Sequence, residues 1–219
     1  MDLQEFKLTT LGIEKEKFGK VFSFIDFGNV NYWYENDIRD NADNLLGENK
    51  KIIVDIEKLS SFVNLFSGRK MFYYGIDLRK RSTWHINKLA KDNNFNVITK
   101  PIQWVKNYLN IELPEDEIKN NKRIKRDESG FYLEMPKCNF DVELTIDALR
   151  LMDDFNTITL FSGDSDFAAL LRYLKAHDKK IILFYSGRIS HRIKDKADLS
   201  INAQGIKGLI SSIKERTPY

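Results

Sequence analysis

Asp164 and Asp166 stand one residue apart in Phe161-Ser162-Gly163-Asp164-Ser165-Asp166-Phe167. Carboxylates held that close repel each other, and a cation between them relieves the repulsion. The run follows an apolar stretch, Thr157 to Leu160, and precedes an amphipathic one, Phe167 to Lys175. That pattern predicts strand, tight turn and helix. Both acids then lie at the carboxyl end of a parallel strand, where open α/β sheets place their sites. The competing reading is structural: Asp164 or Ser165 caps the next helix and Asp166 occupies its first turn.

Two further segments bring acids to the same edge. Val21 to Asp26 reads as a buried strand that finishes in Ile25-Asp26-Phe27-Gly28-Asn29, which puts Asp26 at the mouth of the sheet. Asp141 opens a helical stretch and sits in its first turn, beside the preceding loop. Asp26, Asp141, Asp164 and Asp166 thus come from three elements that could converge on one cleft, although carboxylates at strand ends are common. With no His or Cys cluster, such a set selects hard, oxygen-seeking cations, Mg²⁺ or Mn²⁺. An ion of this kind orients a water, lowers its pKa and neutralises a pentavalent phosphate transition state. A phosphodiester is therefore the expected substrate.

The elements that must position these acids alternate. Strands are expected at Val21–Asp26, Met71–Ile76, Phe95–Thr99, Thr157–Phe161 and Lys180–Tyr185. Helices are expected at Val54–Phe66, Thr83–Asp92, Asp141–Met152, Phe167–Ala176 and, closing the chain, Ile206–Lys214. Alternation of this kind implies an α/β fold with a mainly parallel sheet of about five strands and helices on both faces. Residues 1–19 read as a lead-in and 20–215 as one domain. Residues 102–136 break the alternation with Pro114, a charge-dense run and Gly130, and read as an insertion containing a β-hairpin.

With 219 residues, 42% of them hydrophobic, the chain can bury a full core, and its apolar runs are too short to span a bilayer. Asp2, Glu5, Glu14 and Glu16 near the start, with no apolar core among them, argue against a secretory signal. The lone Cys138 excludes an internal disulfide framework and a cysteine-rich zinc site, and fits a reducing, cytoplasmic setting. Net charge is only +3, but the bases are clustered: Lys119, Lys122, Arg123, Lys125 and Arg126; then Arg79, Lys80 and Arg81; then Arg188, His191, Arg192, Lys194 and Lys196. Each cluster reads either as a solvated face or as a phosphate-contacting one. Tyr32, Trp33, Tyr34 and Trp104 lie near expected loops and, if exposed, would stack on unpaired bases, with Trp33 and Tyr34 favoured; the alternative is that they are core. No phosphate-binding GxxxxGK[ST] loop, GxGxxG fingerprint or nucleophile elbow occurs.

In order along the chain, four segments resemble the motifs of NYN domains. Phe24-Ile25-Asp26-Phe27-Gly28-Asn29-Val30-Asn31 is similar to their opening motif, and Lys137-Cys138-Asn139-Phe140-Asp141 to their Lys-Gly-Asn-Val-Asp helix start. Ser162-Gly163-Asp164-Ser165-Asp166-Phe167 resembles the third motif, and Lys196-Ala197-Asp198-Leu199 the Ala-Asp pair near the end. The resemblance covers about residues 20–210 and is nearest the LabA-like branch. It implies a PIN-like Rossmannoid three-layer fold and metal-dependent ribonuclease activity. It also implies that Asp26, Asp141, Asp164 and Asp166 hold the metal and that Asn29 orients substrate or a water.

Lys137, Ser162 and Ser165 belong to the motifs as secondary residues. Asp147 is a further family acid, but six residues after Asp141 it lies about 240° round the helix and is given a secondary or structural role. Asp198 is expected to brace the closing segment. Cys138 stands where the family has Gly, which leaves the acids in place but puts the local loop shape in question. RNA is the expected partner, with DNA the alternative; Arg188, Arg192, Lys122, Arg123, Lys125, Arg126 and Trp33 are its candidate contacts. A non-catalytic RNA- or protein-binding module is the rival reading, and a homodimer is compatible with either.

Overall fold

The computed structural model describes residues 3–109 and 123–216. Its strands are β1 (Val21–Asp26), β2 (Lys50–Val54), β3 (Ser67–Tyr73), β4 (Asn96–Ile98), β5 (Gln103–Tyr108), β6 (Ile124–Asp127), β7 (Gly130–Lys137), β8 (Thr157–Phe161), β9 (Lys180–Tyr185), β10 (Leu199–Asn202) and β11 (Ser211–Glu215). Six of them form one sheet in the order β10-β9-β8-β1-β3-β4, and every neighbouring pair in it is parallel.

The central strands are apolar on both sides, as burial by helices on both faces requires. Alternate residues of β1 divide between two cores. Val21 and Ile25 join Leu59, Phe62 and Val63 of the Ile56–Asn64 helix and Ala90 of the Arg81–Asp92 helix. Phe22 and Phe24 join Leu144 and Ala148 of the Asp141–Arg150 helix and Leu170, Leu171 and Leu174 of the Ala168–Ala176 helix. The spacing of Leu144 and Ala148 is one helical turn, which is why that helix lies flat on the sheet with Asp141 at its leading end.

The sequence reading differs from the structure in three places. The sheet has six strands rather than about five; β10 is only four residues long and alternates apolar and polar positions at the sheet edge. The expected closing helix 206–214 is a single helical turn, Lys207–Ile210, that gives way to β11. Ile210 and Ile213 have helical spacing, but Ile210 is buried and Ile213 is 46% exposed on a strand paired antiparallel with β2. β2 has no counterpart among the expected strands, because helical spacing in the sequence takes Val54 into the following helix. Asp55 accepts the N–H groups of Glu57 and Lys58 and so starts that helix at Ile56.

Strands β5, β6 and β7 form a separate antiparallel sheet in the order β5-β7-β6, closed by a hairpin between β6 and β7. Gly130 takes a φ of 122° at the hairpin turn, a conformation that favours glycine. Pro114, Lys119 and Lys122 lie outside the described residues.

Candidate functional site

From β1 the sheet grows in one direction through β3 and β4, and from β8 in the other through β9 and β10. The order reverses between β1 and β8, so the connections after them part and leave a crevice at their carboxyl ends. Ile25 pairs with Phe161, which sets Asp26 beside Ser162. Ser162 is fully buried; its Oγ donates to Asp26 Oδ2 at 3.2 Å and accepts the N–H of Asp164 at 3.2 Å. Asn29 ties the same two connections together, its Oδ1 accepting from Trp33 Nε1 at 3.0 Å and from the Gly163 N–H at 3.5 Å.

Asp164 caps the Ser165–Phe167 turn by accepting the Asp166 N–H at 3.0 Å. The structural reading of Asp164 is therefore true of one oxygen, and it leaves the rest of the group for other work. Across the crevice, Asn139 and Asp141 are bonded reciprocally: Asn139 Oδ1 accepts the Asp141 N–H at 2.7 Å, and Asn139 Nδ2 donates to Asp141 Oδ2 at 2.6 Å. One carboxylate oxygen from each of Asp141, Asp164 and Asp166 lies within 4.8 Å of the others. Asp26 is outside that trio but lines the same cleft as Asp141 and Asp164.

The electrostatics follow from this crowding. Burial pushes the Asp26 carboxyl up to about 6; hydrogen bonds from Ser162 and the Asn29 backbone oppose the rise, and the charges of Asp141 and Asp164 add to it. Asp141 is raised by burial, opposed by Asn139 and by Lys100, and raised further by Asp164 and Asp166. Among the described residues, none of the four acids is ion-paired with a Lys or Arg. All-oxygen donors and mutual repulsion, with no Lys or Arg ion-paired to them among the described residues, suit a hard divalent ion.

The remaining expected residues are placed as follows. Asp147 turns away from the cleft and accepts from the buried Tyr73 hydroxyl at 3.0 Å. Asp198 braces the edge of the sheet, accepting from Lys175 Nζ at 2.6 Å and from the Ile181 N–H at 2.8 Å. Ser165 is exposed at the start of its turn, and Lys137 is exposed at the end of β7. Arg188 and Arg192 are exposed and follow β9, so they stand on the carboxyl edge.

The basic run in β6 is not aimed at the cleft. Lys125 pairs with Glu134 at 2.7 Å, an acid that Arg79 also reaches at 2.8 Å, and Arg126 lies over the Phe131 ring at 5.1 Å. Arg123 is exposed, and Lys122 lies outside the described residues. Trp33 requires correction as a base-stacking residue: it is 7% exposed and packs against Phe161, with its indole N–H spent on Asn29. Tyr34 is buried as well and donates to the Ala203 carbonyl. Aromatics following a strand end fill the crossover, and only Tyr32 of the three remains outside.

Sequence reasoning assigned no role to Lys100 or Asn139. Asn139 was legible as an Asx residue two before a helical Asp. Lys100 reaches the site because β4 is parallel to β1 and delivers the chain just beyond its end to the same edge, which no local pattern reveals.

The chain is similar to known proteins in sequence and in fold. Over 94 residues the chain is 28% identical to the low amplitude and bright protein LabA of Synechococcus elongatus, a stretch covering 42% of this chain. The chain spans about half the length of that curated relative, 50%. A crystal structure of a Vibrio parahaemolyticus protein of unknown function matches with a TM-score of 0.56 and 19% identity, covering 86% of this chain and 95% of that one. The similarity to LabA agrees with the LabA-like branch, and the solved structure agrees with the fold. The NYN domain model matches residues 20–204, and the protein belongs to the NYN domain family.

Proposed function

We propose that the protein is a metal-dependent endoribonuclease. The observation that carries this reading is the trio Asp141, Asp164 and Asp166, gathered from the turn after β8 and the start of the Asp141–Arg150 helix, with none of the three ion-paired to a Lys or Arg among the described residues. Membership of a nuclease-like family supports it. Asp141, Asp164 and Asp166 would hold Mg²⁺ or Mn²⁺, with Asp26 at the margin of the set. The ion would supply Lewis acidity and charge neutralisation for phosphodiester hydrolysis.

The chain's own residues do the rest. Ser162 fixes the Asp26 carboxylate, and Asn139 fixes that of Asp141. Asn29 holds the Gly163 backbone, and with it the loop that carries Asp164 and Asp166. The Asp26 carboxyl, pushed up to about 6 by burial, can take up a proton near neutral pH. Arg188 and Arg192 would contact the phosphate backbone beyond the acids.

RNA is the proposed partner in a cytoplasmic setting, and single-stranded DNA is the comparison substrate. No helix among the described residues is long and apolar enough to cross a membrane. Incubation of the purified chain with RNA in Mg²⁺, Mn²⁺ or EDTA tests the reading. Cleavage is expected with metal and absent from Asp164→Asn. Cleavage undiminished in EDTA defeats the metal mechanism, and salt-dependent RNA binding without turnover in either metal favours a binding module instead.

A further inference from the structure

We propose that the cleft beside the acids contains a nucleoside subsite, in which one unstacked base of a single strand lies on the Tyr32 ring and donates its exocyclic amino group to Asp77. The proposal rests on the nuclease reading for its ligand class and extends that reading to base selection. A cleft of about 500 Å³ runs from Asp26, Asp141 and Asp164 to Tyr32, Tyr74 and Asp77. That volume falls in the range of small-ligand sites. It suits one splayed nucleotide, the form in which proteins read RNA sequence; a duplex keeps its bases stacked and out of reach.

Tyr32 is 59% exposed, whereas its neighbours Trp33 and Tyr34 are buried. Its backbone is held by an N–H bond to the Asn29 carbonyl at 3.3 Å, so the exposed ring stands on a fixed stem. Among the described residues no other ring stacks on it. An exposed aromatic face beside a phosphodiester site has the chemistry of a base platform.

Asp77 supplies the second contact. The residue is 3% exposed, and its Oδ1 accepts both the Arg79 N–H at 2.9 Å and Trp104 Nε1 at 3.3 Å. No hydrogen bond among the described residues reaches Oδ2. A carboxylate oxygen in a cleft wall that lacks a donor gains from one supplied by a ligand. Arg79 and Lys80 lie over the Trp104 ring at 4.7 and 5.6 Å, which stiffens this wall and adds positive charge near a bound phosphate. An acceptor here discriminates between pyrimidines of equal size, because cytosine presents its N4 amino donor where uracil presents the O4 acceptor.

The test measures binding of the full chain to labelled single-stranded oligo(C) and oligo(U) of about ten nucleotides, in EDTA and again with Ca²⁺. Oligo(C) is expected to bind tighter than oligo(U) by about 5- to 150-fold. Tyr32→Ala should weaken oligo(C) binding by a similar factor. Asp77→Asn, which places an amide donor in the cleft, should reverse the preference; if that variant does not fold, the wild-type comparison still decides. Equal affinity for the two oligomers, or oligo(C) binding unchanged in Tyr32→Ala, overturns the subsite. Base-selective, Tyr32-dependent binding without cleavage in Mg²⁺ or Mn²⁺ keeps the subsite and removes the nuclease reading. Cleavage indifferent to Tyr32 and to base does the opposite.

Discussion

Ser162 Oγ lies 3.2 Å from Asp26 Oδ2 and gives that carboxylate its hydrogen bond from a fully buried position. The same hydroxyl accepts the Asp164 N–H, so one side chain sets the spacing between the acids of β1 and β8. Ser162→Ala removes a bond that favours the charged form of Asp26 and leaves the Asp164 N–H without its acceptor. The variant should lose about 1 kcal/mol of stability. Its cleavage profile should also move to higher pH on the acid limb. A stable variant with an unmoved profile would show that Ser162 only packs.

Asp26 makes stability fall with pH when metal is absent. Its carboxyl is raised to about 6 from an unfolded value of 3.8, mainly by burial. Below about 4 both states hold the proton and the group contributes no difference. Between about 4 and 6 the folded state holds more protons than the unfolded one, so stability declines as pH rises. Above 6 the penalty is complete, at about 3 kcal/mol. In EDTA, Asp26→Asn should therefore melt above wild type at pH 7 and converge with it near pH 4. A constant difference between the two across that range would rule out Asp26 as the source.

Metal should reverse the balance at the trio. In EDTA, Asp164→Asn relieves repulsion with Asp141 and Asp166 and keeps a side-chain oxygen for the Asp166 N–H, so it should melt at or above wild type. Added Mn²⁺ should stabilise wild type, by about 2.7 kcal/mol at a hundredfold excess over Kd, and should not stabilise the variant. Equal stabilisation of both proteins would place the ion elsewhere.

The acids that these predictions use were visible in the sequence because each sits where an element changes. Asp26 ends an apolar strand, Asp164 follows one, and Asp141 opens a helix, and parallel strands carry all such ends to one edge. What stayed hidden depends on partners remote in sequence. β11 is a strand because β2 pairs with it, and neither is strongly patterned alone. Trp33 is core because Phe161, far along the chain, lies against it. Lys125 is neutralised by Glu134 across a hairpin whose register a charge run does not specify.

Gly75 and Cys138 make a last case of this kind. A Cβ at position 75 would meet Ile102 Cγ1 at 2.6 Å and Cys138 Sγ at 2.8 Å, so the end of the β3 connection and the segment after β7 share one space. Cys138 occupies a place where the resemblance expects Gly, and Gly75 supplies the room. Gly75→Ala should destabilise the fold by about 1–3 kcal/mol through overpacking. It should also lower cleavage at temperatures where the variant stays folded, because Cys138 leads directly into Asn139 and Asp141. Cys138→Gly in the same chain removes one of the two obstructing side chains and leaves Ile102, so it should restore part of both losses. Thermal melts and cleavage rates of Gly75→Ala, Cys138→Gly and the double variant measure this coupling; purely additive effects would mean that the two residues do not compete for the space.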